Sequence, residues 1–156
     1  KYIHEEISNW AKKNFLAIHN TLYWNANYVI AIGPSAHGFV SSDKIYGLRY
    51  AYPSNLKNFL KINPINMPKI YKELIIDKRN MESFFIEYIS CALRTHTGIN
   101  LDFVKKIFNK TLDINSFIHQ ALKNKQIRLS QTSLQLNEIE FFKENSWSLK
   151  MLECFK

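Results

Sequence analysis

Apolar residues recur at helical spacing through the second half of the chain, from residue 81 onward. The pattern forms three segments. Gly98 stops the first, Asn100 can cap the second, and Asn115 can cap the third, which extends to Lys125. The predicted inward faces of these three helices are Met81, Phe84, Phe85, Tyr88, Ile89, Ala92 and Leu93, then Leu101, Val104, Ile107 and Phe108, and then Ile118, Ala121 and Leu122.

A short hairpin and a last helix complete the predicted C-terminal half. Residues 127–129 and 134–136 alternate around a polar turn, as two paired strands do. Asn137 with Glu140 resembles a capping box and predicts the start of a final helix. That helix is expected to bury Ile139, Phe142, Leu149, Leu152 and Phe155. The order of these elements predicts a winged-helix-like module.

The first half of the chain predicts short strands and loops instead. Residues 2–8 predict a strand, residues 38–52 a hairpin, and residues 53–61 a helix. The β-branched run at 28–32 is typical of a buried parallel strand and ends at Gly33 and Pro34. Two prolines make residues 63–68 the best candidate for a linker. The predicted domains are therefore residues 1–62 and 69–156, and the predicted fold class is α+β.

Composition narrows the class of protein. The chain has 156 residues, of which 14% are aromatic, and this is enough for a packed core. No apolar run approaches the roughly 20 residues that cross a bilayer. Cys91 and Cys154 are isolated thiols, which suit a reducing cytosol, and Cys91 is expected to pack on the apolar side of its helix. The net charge of +8 fits an anionic partner, but the lysines are scattered along the chain.

Polar and aromatic residues are denser in the first quarter of the chain than folding requires. His19 and Asn20 are followed one turn later by Tyr23 and Trp24, so an imidazole stands beside flat apolar rings. Such a group can hold a macrocycle or supply an axial ligand to iron. The alternative is structural: His19 bonds to a neighbouring wall while the two aromatic residues pack into a core.

Two further segments carry candidate binding residues. Glu6, Ser8 and Asn9 alternate on a short strand, so Glu6 and Ser8 are expected to share a face. A carboxylate buried there needs either a ligand or a base such as Arg49. The turn that contains Gly33, Ser35 and His37 follows a predicted strand, and its backbone N–H groups can hold an anion or a ribose. The alternative for this turn is a simple closure by small residues.

Three motifs in this region carry a family resemblance. E-I-S-N-W-A at 6–11, H-N-T-L-Y-W at 19–24 and I-G-P-S-A-H-G at 32–38 resemble, in this order and spacing, the oxygen-independent coproporphyrinogen III oxidase-like family of radical SAM proteins. The H-N-x-x-Y-W element points to the heme chaperone branch. The downstream pattern agrees with this resemblance at Arg49-Tyr50, Cys91-Ala92-Leu93-Arg94 and Thr97-Gly98-Ile99. Glu5 departs from the family, which usually has an aromatic residue there.

The resemblance implies a fold, cofactors and a site. Residues 1–62 are expected to form the last strand units of a partial (β/α) barrel, with the winged-helix-like module after them. An intact protein of this family binds S-adenosylmethionine, an iron–sulfur cluster and heme, and it carries heme to acceptor proteins. The cysteine triplet that holds the cluster is missing and Lys1 is not Met, so we expect a C-terminal portion that performs no radical chemistry. The cofactor-binding residues implied are Glu6, Ser8, Asn9, His19, Asn20, Tyr23, Trp24, Gly33, Ser35 and His37, facing one cavity.

Two other functions compete with this hypothesis. One is oxidative decarboxylation of coproporphyrinogen III, which the H-N-T-L-Y-W motif disfavours. The other is nucleic-acid binding by the winged-helix-like module, which is disfavoured because its expected recognition helix is basic only at Lys123 and Lys125. The expected partners are heme or a porphyrin, the N-terminal half of the barrel and heme acceptors. A strand at Tyr2–Ser8 without an upstream neighbour also predicts self-association.

Overall fold

The computed structural model of the chain describes residues 1–25, 27–40, 46–62 and 73–156. The fold divides into unit 1, formed by Lys1–Ala26 and Phe85–Lys156, and unit 2, formed by Asn27–Phe84. Both units combine helices with small sheets, so the predicted α+β class is confirmed. The predicted linker at 63–68 and residues 41–45 of the predicted hairpin at 38–52 lie outside the described residues.

The elements follow one another in a mixed order. They are β1 (Tyr2–Glu6), β2 (Asn9–Lys12), α1 (Ile18–Trp24), β3 (His37–Val40), β4 (Leu48–Ala51), α2 (Leu56–Leu60), β5 (Ile75–Lys78), α3 (Met81–Leu93), β6 (Ile99–Asn100), α4 (Leu101–Phe108), α5 (Ser116–Lys123), β7 (Ile127–Leu129), β8 (Ser133–Leu136), a 3₁₀ helix (Glu138–Lys143) and α6 (Glu144–Leu152). The three predicted central helices and the hairpin β7–β8 are confirmed.

Caps and apolar faces explain the helical part of unit 1. The Asn100 side chain accepts a hydrogen bond from the backbone N of Phe103 at 2.9 Å, and Asn115 accepts one from Ile118 N at 3.1 Å. Strand β8 pairs with both β6 and β7, which gives a three-stranded antiparallel sheet in the order β6-β8-β7. The core contains Ile89, Leu93, Ile99, Val104, Ile118, Ala121, Leu134 and Leu136, whereas the predicted core residue Met81 is exposed.

The last helix differs from its prediction. A 3₁₀ helix precedes α6, and Phe141, Trp147 and Met151 face the core. Of the predicted inward residues Phe155 is buried, but Ile139, Phe142 and Leu149 are 80%, 81% and 69% exposed. The predicted capping box is also wrong, because the Asn137 amide donates to the Lys125 carbonyl and Glu140 bonds to Trp147.

The first strand of the chain has neighbours on both sides. β1 pairs with β2 in an antiparallel hairpin and ends at Glu6, so Ser8 lies in the turn and does not share a strand face with Glu6. On its other side Glu6 forms an antiparallel bridge with Thr95. The Ile7 N–H donates to the Arg94 carbonyl at 2.9 Å. The prediction that this strand has an unpaired edge is therefore wrong at its C-terminal end.

Unit 2 is built on a second three-stranded antiparallel sheet, in the order β3-β4-β5. The hairpin β3–β4 confirms the prediction for 38–52, and α2 falls within the predicted helix at 53–61. Its core contains Tyr50, Tyr52 and Leu74. The predicted buried parallel strand at 28–32 is wrong: Val29 alone forms an antiparallel bridge, to Phe39, while Ile30 and Ile32 are each 79% exposed.

None of the helices in the described residues combines the length and the apolar character needed to span a membrane.

Candidate functional site

Helix α1 carries the His19–Trp24 motif, and its residues divide between two faces. Asn20, Thr21 and Trp24 are partly buried, whereas His19 and Tyr23 are exposed. His19 and Tyr23 are four residues apart, so they are neighbours on the helix surface. No described residue hydrogen-bonds the His19 ring, which leaves both of its nitrogens available. The structure therefore does not support the packed, hydrogen-bonded alternative for His19.

The partly buried face of α1 rests on the buried end of β1. The Glu5 carboxylate accepts a hydrogen bond from the Ala17 N–H at 3.3 Å and lies 3.2 Å from the Thr21 hydroxyl. The Glu5 carbonyl accepts from the His96 N–H at 3.0 Å. His96 Nδ1 is also 3.0 Å from that carbonyl oxygen, which can only accept, so this nitrogen carries the proton. Glu5 thus joins α1 to the helical part of unit 1.

Trp24 connects α1 to a second group of polar residues. Its ring meets that of Tyr23 edge to face, with centroids 5.1 Å apart. The Arg94 guanidinium lies 5.5 Å from the Trp24 ring centroid, within the range of a cation–π contact. Arg94 also forms an ion pair with the buried Glu144, in which Nη2 and Oε1 are 2.6 Å apart. The position of the Trp24 ring is therefore fixed from two directions.

Glu6, Ser8 and Asn9 come together at the β1–β2 turn rather than along one strand face. The Glu6 carboxylate is 1% exposed and accepts hydrogen bonds from the Ser8 N–H, at 3.2 Å, and from the Asn9 amide. These donors offset the cost of burying the carboxylate. The Glu6 carboxylate thus has hydrogen-bond donors within its own motif.

An open groove of about 410 Å³ lies beside the hairpin, between the rings of Tyr2, Trp10 and Phe15. The Trp10 ring stacks on His4, with centroids 4.1 Å apart and planes 6° apart. The Lys12 ammonium lies 5.9 Å from the Tyr2 ring centroid. Unit 1 therefore presents exposed aromatic surface next to the turn that leads to α1.

The turn with Gly33, Ser35 and His37 lies in unit 2. Its backbone donors are already used in part, because the Ser35 N–H donates to the Pro53 carbonyl and the Ala36 N–H to the Gly33 carbonyl. Gly33 has φ +128°, which L side chains rarely adopt. His37 is exposed, and its Nδ1 lies 2.8 Å from the Ser35 carbonyl oxygen. In a neutral ring that contact leaves the lone pair of Nε2 available as a ligand.

The cysteines do not resemble cluster ligands. Two thiols cannot supply the three cysteine ligands that the family resemblance implies. Burial raises the pKa of the Cys154 thiol, which opposes the thiolate form that binds metal. Across the described residues there is no group of three or more His, Cys, Asp or Glu side chains suited to a metal ion.

Sequence reasoning missed Glu5 and Thr21 as parts of this site. Glu5 stood out only as a departure from the family pattern. A second signal was present: the residue before α1 is Ala17, which has no side chain to cap a helix, so an acceptor has to come from elsewhere. The pairing of Arg94 with Glu144 spans 50 residues and has no local signature.

Comparisons with known proteins give one consistent name. Over 119 residues, or 76% of this chain, it is 31% identical to a heme chaperone HemW-like protein of Buchnera aphidicola subsp. Baizongia pistaciae. It is 25% identical over 69% of its length to the heme chaperone HemW of Buchnera aphidicola subsp. Schizaphis graminum, and 29% identical over 70% to that of Lactococcus lactis. The chain spans 25–30% of the length of these relatives.

No family model matches the chain, and no solved structure matches it. The named relatives nevertheless confirm the resemblance that the three motifs predicted.

Proposed function

We propose that this chain, which is related to the heme chaperone branch of the oxygen-independent coproporphyrinogen III oxidase-like family, binds heme on the exposed face of α1. The observation that carries the proposal is the pair His19 and Tyr23. An imidazole without a partner among the described residues stands one turn from an exposed phenol ring, on a helix whose opposite face is held by Glu5.

The chemistry of these residues suits heme as a cargo. Imidazole is a ligand of heme iron, and aromatic rings offer flat apolar contact to a porphyrin. In this proposal His19 ligates or orients heme and Tyr23 contacts the macrocycle, while the partly buried Trp24 ring borders this face through its edge-to-face contact with Tyr23. Asn20, at the partly buried edge of this face, is proposed to hydrogen-bond a polar edge of the ligand. Arg94 keeps the Trp24 ring in place.

The other predicted binding residues take supporting roles in this proposal. Glu6, Ser8 and Asn9 order the β1–β2 turn through their mutual hydrogen bonds. Gly33 and Ser35 shape the turn that presents His37 in unit 2, and the exposed His37 ring is a second candidate ligand for heme or a cofactor.

The architecture is proposed to follow the family resemblance. By the resemblance, the first 62 residues are proposed to correspond to the last strand units of a partial (β/α) barrel, although the hairpins that they form are antiparallel, and residues 69–156 to a winged-helix-like domain. Supporting the second assignment, α3, β6, α4, α5, β7 and β8 follow one another in that order, and β6 pairs with β8. S-adenosylmethionine and an iron–sulfur cluster belong, in this proposal, to the remainder of a full-length protein. That protein would work in the cytoplasm and deliver heme to acceptor proteins.

A hemin titration of the whole chain tests the proposal. We expect saturable binding with a Soret band that changes in His19→Ala, and an affinity lower by about tenfold, which corresponds to the loss of about 1.4 kcal/mol. His119→Ala is the matched control, because His119 is also exposed on a short helix and lies outside the motif. His37→Ala tests the second candidate ligand.

Identical spectra and affinities for the wild type and His19→Ala would remove His19 as the ligand. Absence of saturable binding by the wild type would refute heme binding by this chain.

A further inference from the structure

We propose that Glu5 is a positioning residue for the heme site on α1: its carboxylate fixes the start and the rotation of the helix that presents His19 and Tyr23. This inference rests on the heme-binding function proposed above. It assigns a role to the residue at which the chain departs from the family pattern.

Helix α1 depends on contacts from outside it, of which the cation–π contact between Arg94 and Trp24 is one. It is seven residues long and contains no fully buried residue. An isolated helix of this length is unstable in water, so its order depends on contacts with the rest of the protein. Its N-cap residue, Ala17, forms no side-chain capping bond.

The Glu5 carboxylate compensates both for the lack of a fully buried residue in α1 and for its missing N-cap bond. One oxygen accepts the Ala17 N–H at 3.3 Å, and the other lies 3.2 Å from the Thr21 hydroxyl, one helical turn further on. The Thr21 hydroxyl also lies 3.2 Å from the Ala17 carbonyl oxygen, so its single proton is shared between two acceptors. Of these, only the carboxylate carries a charge, and hydrogen bonds to charged groups are the stronger ones.

The contact to Thr21 also sets the direction of the exposed face. At 3.6 residues per turn, residues two positions before and two positions after Thr21 both point about 160° away from it. Those residues are His19 and Tyr23. Holding Thr21 against Glu5 therefore turns the imidazole and the phenol outward together.

Glu5 is itself held firmly. It is 5% exposed, and its carbonyl oxygen accepts the His96 N–H, so the strand carrying the carboxylate is fixed to the helical part of unit 1. A buried carboxylate that loses its hydrogen-bond donors destabilises the folded protein. The contact between Glu5 and α1 therefore stabilises the strand that carries Glu5 as well as the helix.

The test combines amide hydrogen exchange with hemin titration of the whole chain. In Glu5→Ala we expect the amides of α1 to exchange about tenfold faster without heme, and hemin to bind about tenfold more weakly, as for the loss of one hydrogen bond to a charged group. Glu5→Gln retains one acceptor oxygen and should recover part of both effects. Glu138→Gln is the control, since Glu138 is an exposed glutamate of the same unit and should change neither.

Thr21→Val removes the same contact from the helix side and keeps the side-chain shape, so it serves if Glu5→Ala does not fold. Unchanged exchange and unchanged hemin affinity in folded Glu5→Ala and in Thr21→Val, with hemin binding by the wild type, would overturn the positioning role alone. A wild type that binds no hemin would overturn the heme site and the positioning role together.

Discussion

Replacing Trp147 with Phe tests how unit 1 tolerates a buried carboxylate in its core. Glu140 is 7% exposed, and its Oε2 accepts the Trp147 indole N–H at 2.9 Å. Gln126 and Lys143 donate to the other oxygen, each at the longer distance of 3.4 Å. The indole hydrogen bond is the main reason why the pKa of Glu140 lies below its ordinary value, against the opposing effect of burial. The variant removes this donor and leaves the acid buried.

The expected loss of stability follows from that geometry. A hydrogen bond to a charged group contributes about 1.5–3 kcal/mol, so we expect Trp147→Phe to lower the free energy of unfolding by about 2 kcal/mol from this source. The smaller ring adds a packing cost. A double-mutant cycle with Glu140→Met, which removes both acceptor oxygens, separates the two, because only the hydrogen bond appears in the coupling energy, which we expect to be about 1–2 kcal/mol.

The loss also depends on pH, with a defined sign. Because the pKa of Glu140 is lower in the folded state than in the unfolded state, its stabilisation is complete above the ordinary value of 4.5 and is lost as the pH falls through the lowered value. The difference between wild type and Trp147→Phe should therefore be largest near neutral pH and shrink in acid. Urea unfolding from pH 7 to pH 3 measures it, with Glu138→Gln as the exposed control. A coupling energy below about 0.5 kcal/mol, or a difference that does not change with pH, would refute the reasoning.

Two further outcomes concern the backbone and the strand edge. Gly98→Ala should destabilise unit 1 by about 1–3 kcal/mol in urea unfolding, because the φ of Gly98 is +70° and an added Cβ would lie 2.1 Å from the Leu134 carbonyl oxygen. Gly33 has φ +128° but nothing within 4 Å of an added Cβ, so Gly33→Ala should lower the free energy of unfolding by less. Equal losses for the two variants would contradict the steric argument. Self-association through the outer edge of β1 stays a prediction, now limited to Tyr2–His4 because residues 5–7 already bond to residues 94–96. Light scattering at high concentration tests it, and a strictly monomeric chain would contradict it.

The helical part of unit 1 was predictable because local signals determine it. Asn100 and Asn115 cap their helices within three residues, and the buried faces of α4 and α5 follow one period of 3.6. The hairpin β7–β8 depends on alternation and a polar turn, which are local as well. In such segments burial and propensity point to the same structure, so one sequence is enough to predict it.

The C-terminal helix shows where a single period fails. The 3₁₀ helix has three residues per turn and α6 has 3.6, so the apolar stripe changes phase where the two meet, at Lys143 and Glu144. Counting through that junction with one period put Phe142 and Leu149 inward, whereas Phe141 and Trp147 occupy the core. The run at 28–32 failed for a different reason, because β propensity cannot supply neighbouring strands on both sides.

The same distinction between local signals and contacts between distant positions applies to the candidate site. Its motif residues could be found from their types and spacing, but what holds them depends on contacts between distant positions. Glu5 reaches Thr21 across 16 residues, and Arg94 reaches Glu144 across 50. These contacts explain why a short helix with no fully buried residue can still present His19 and Tyr23 in a fixed direction. The proposed binding face on so small an element requires rigid support from outside it, and in the proposal that support is the Glu5 carboxylate, at the position where the related family usually has an aromatic ring.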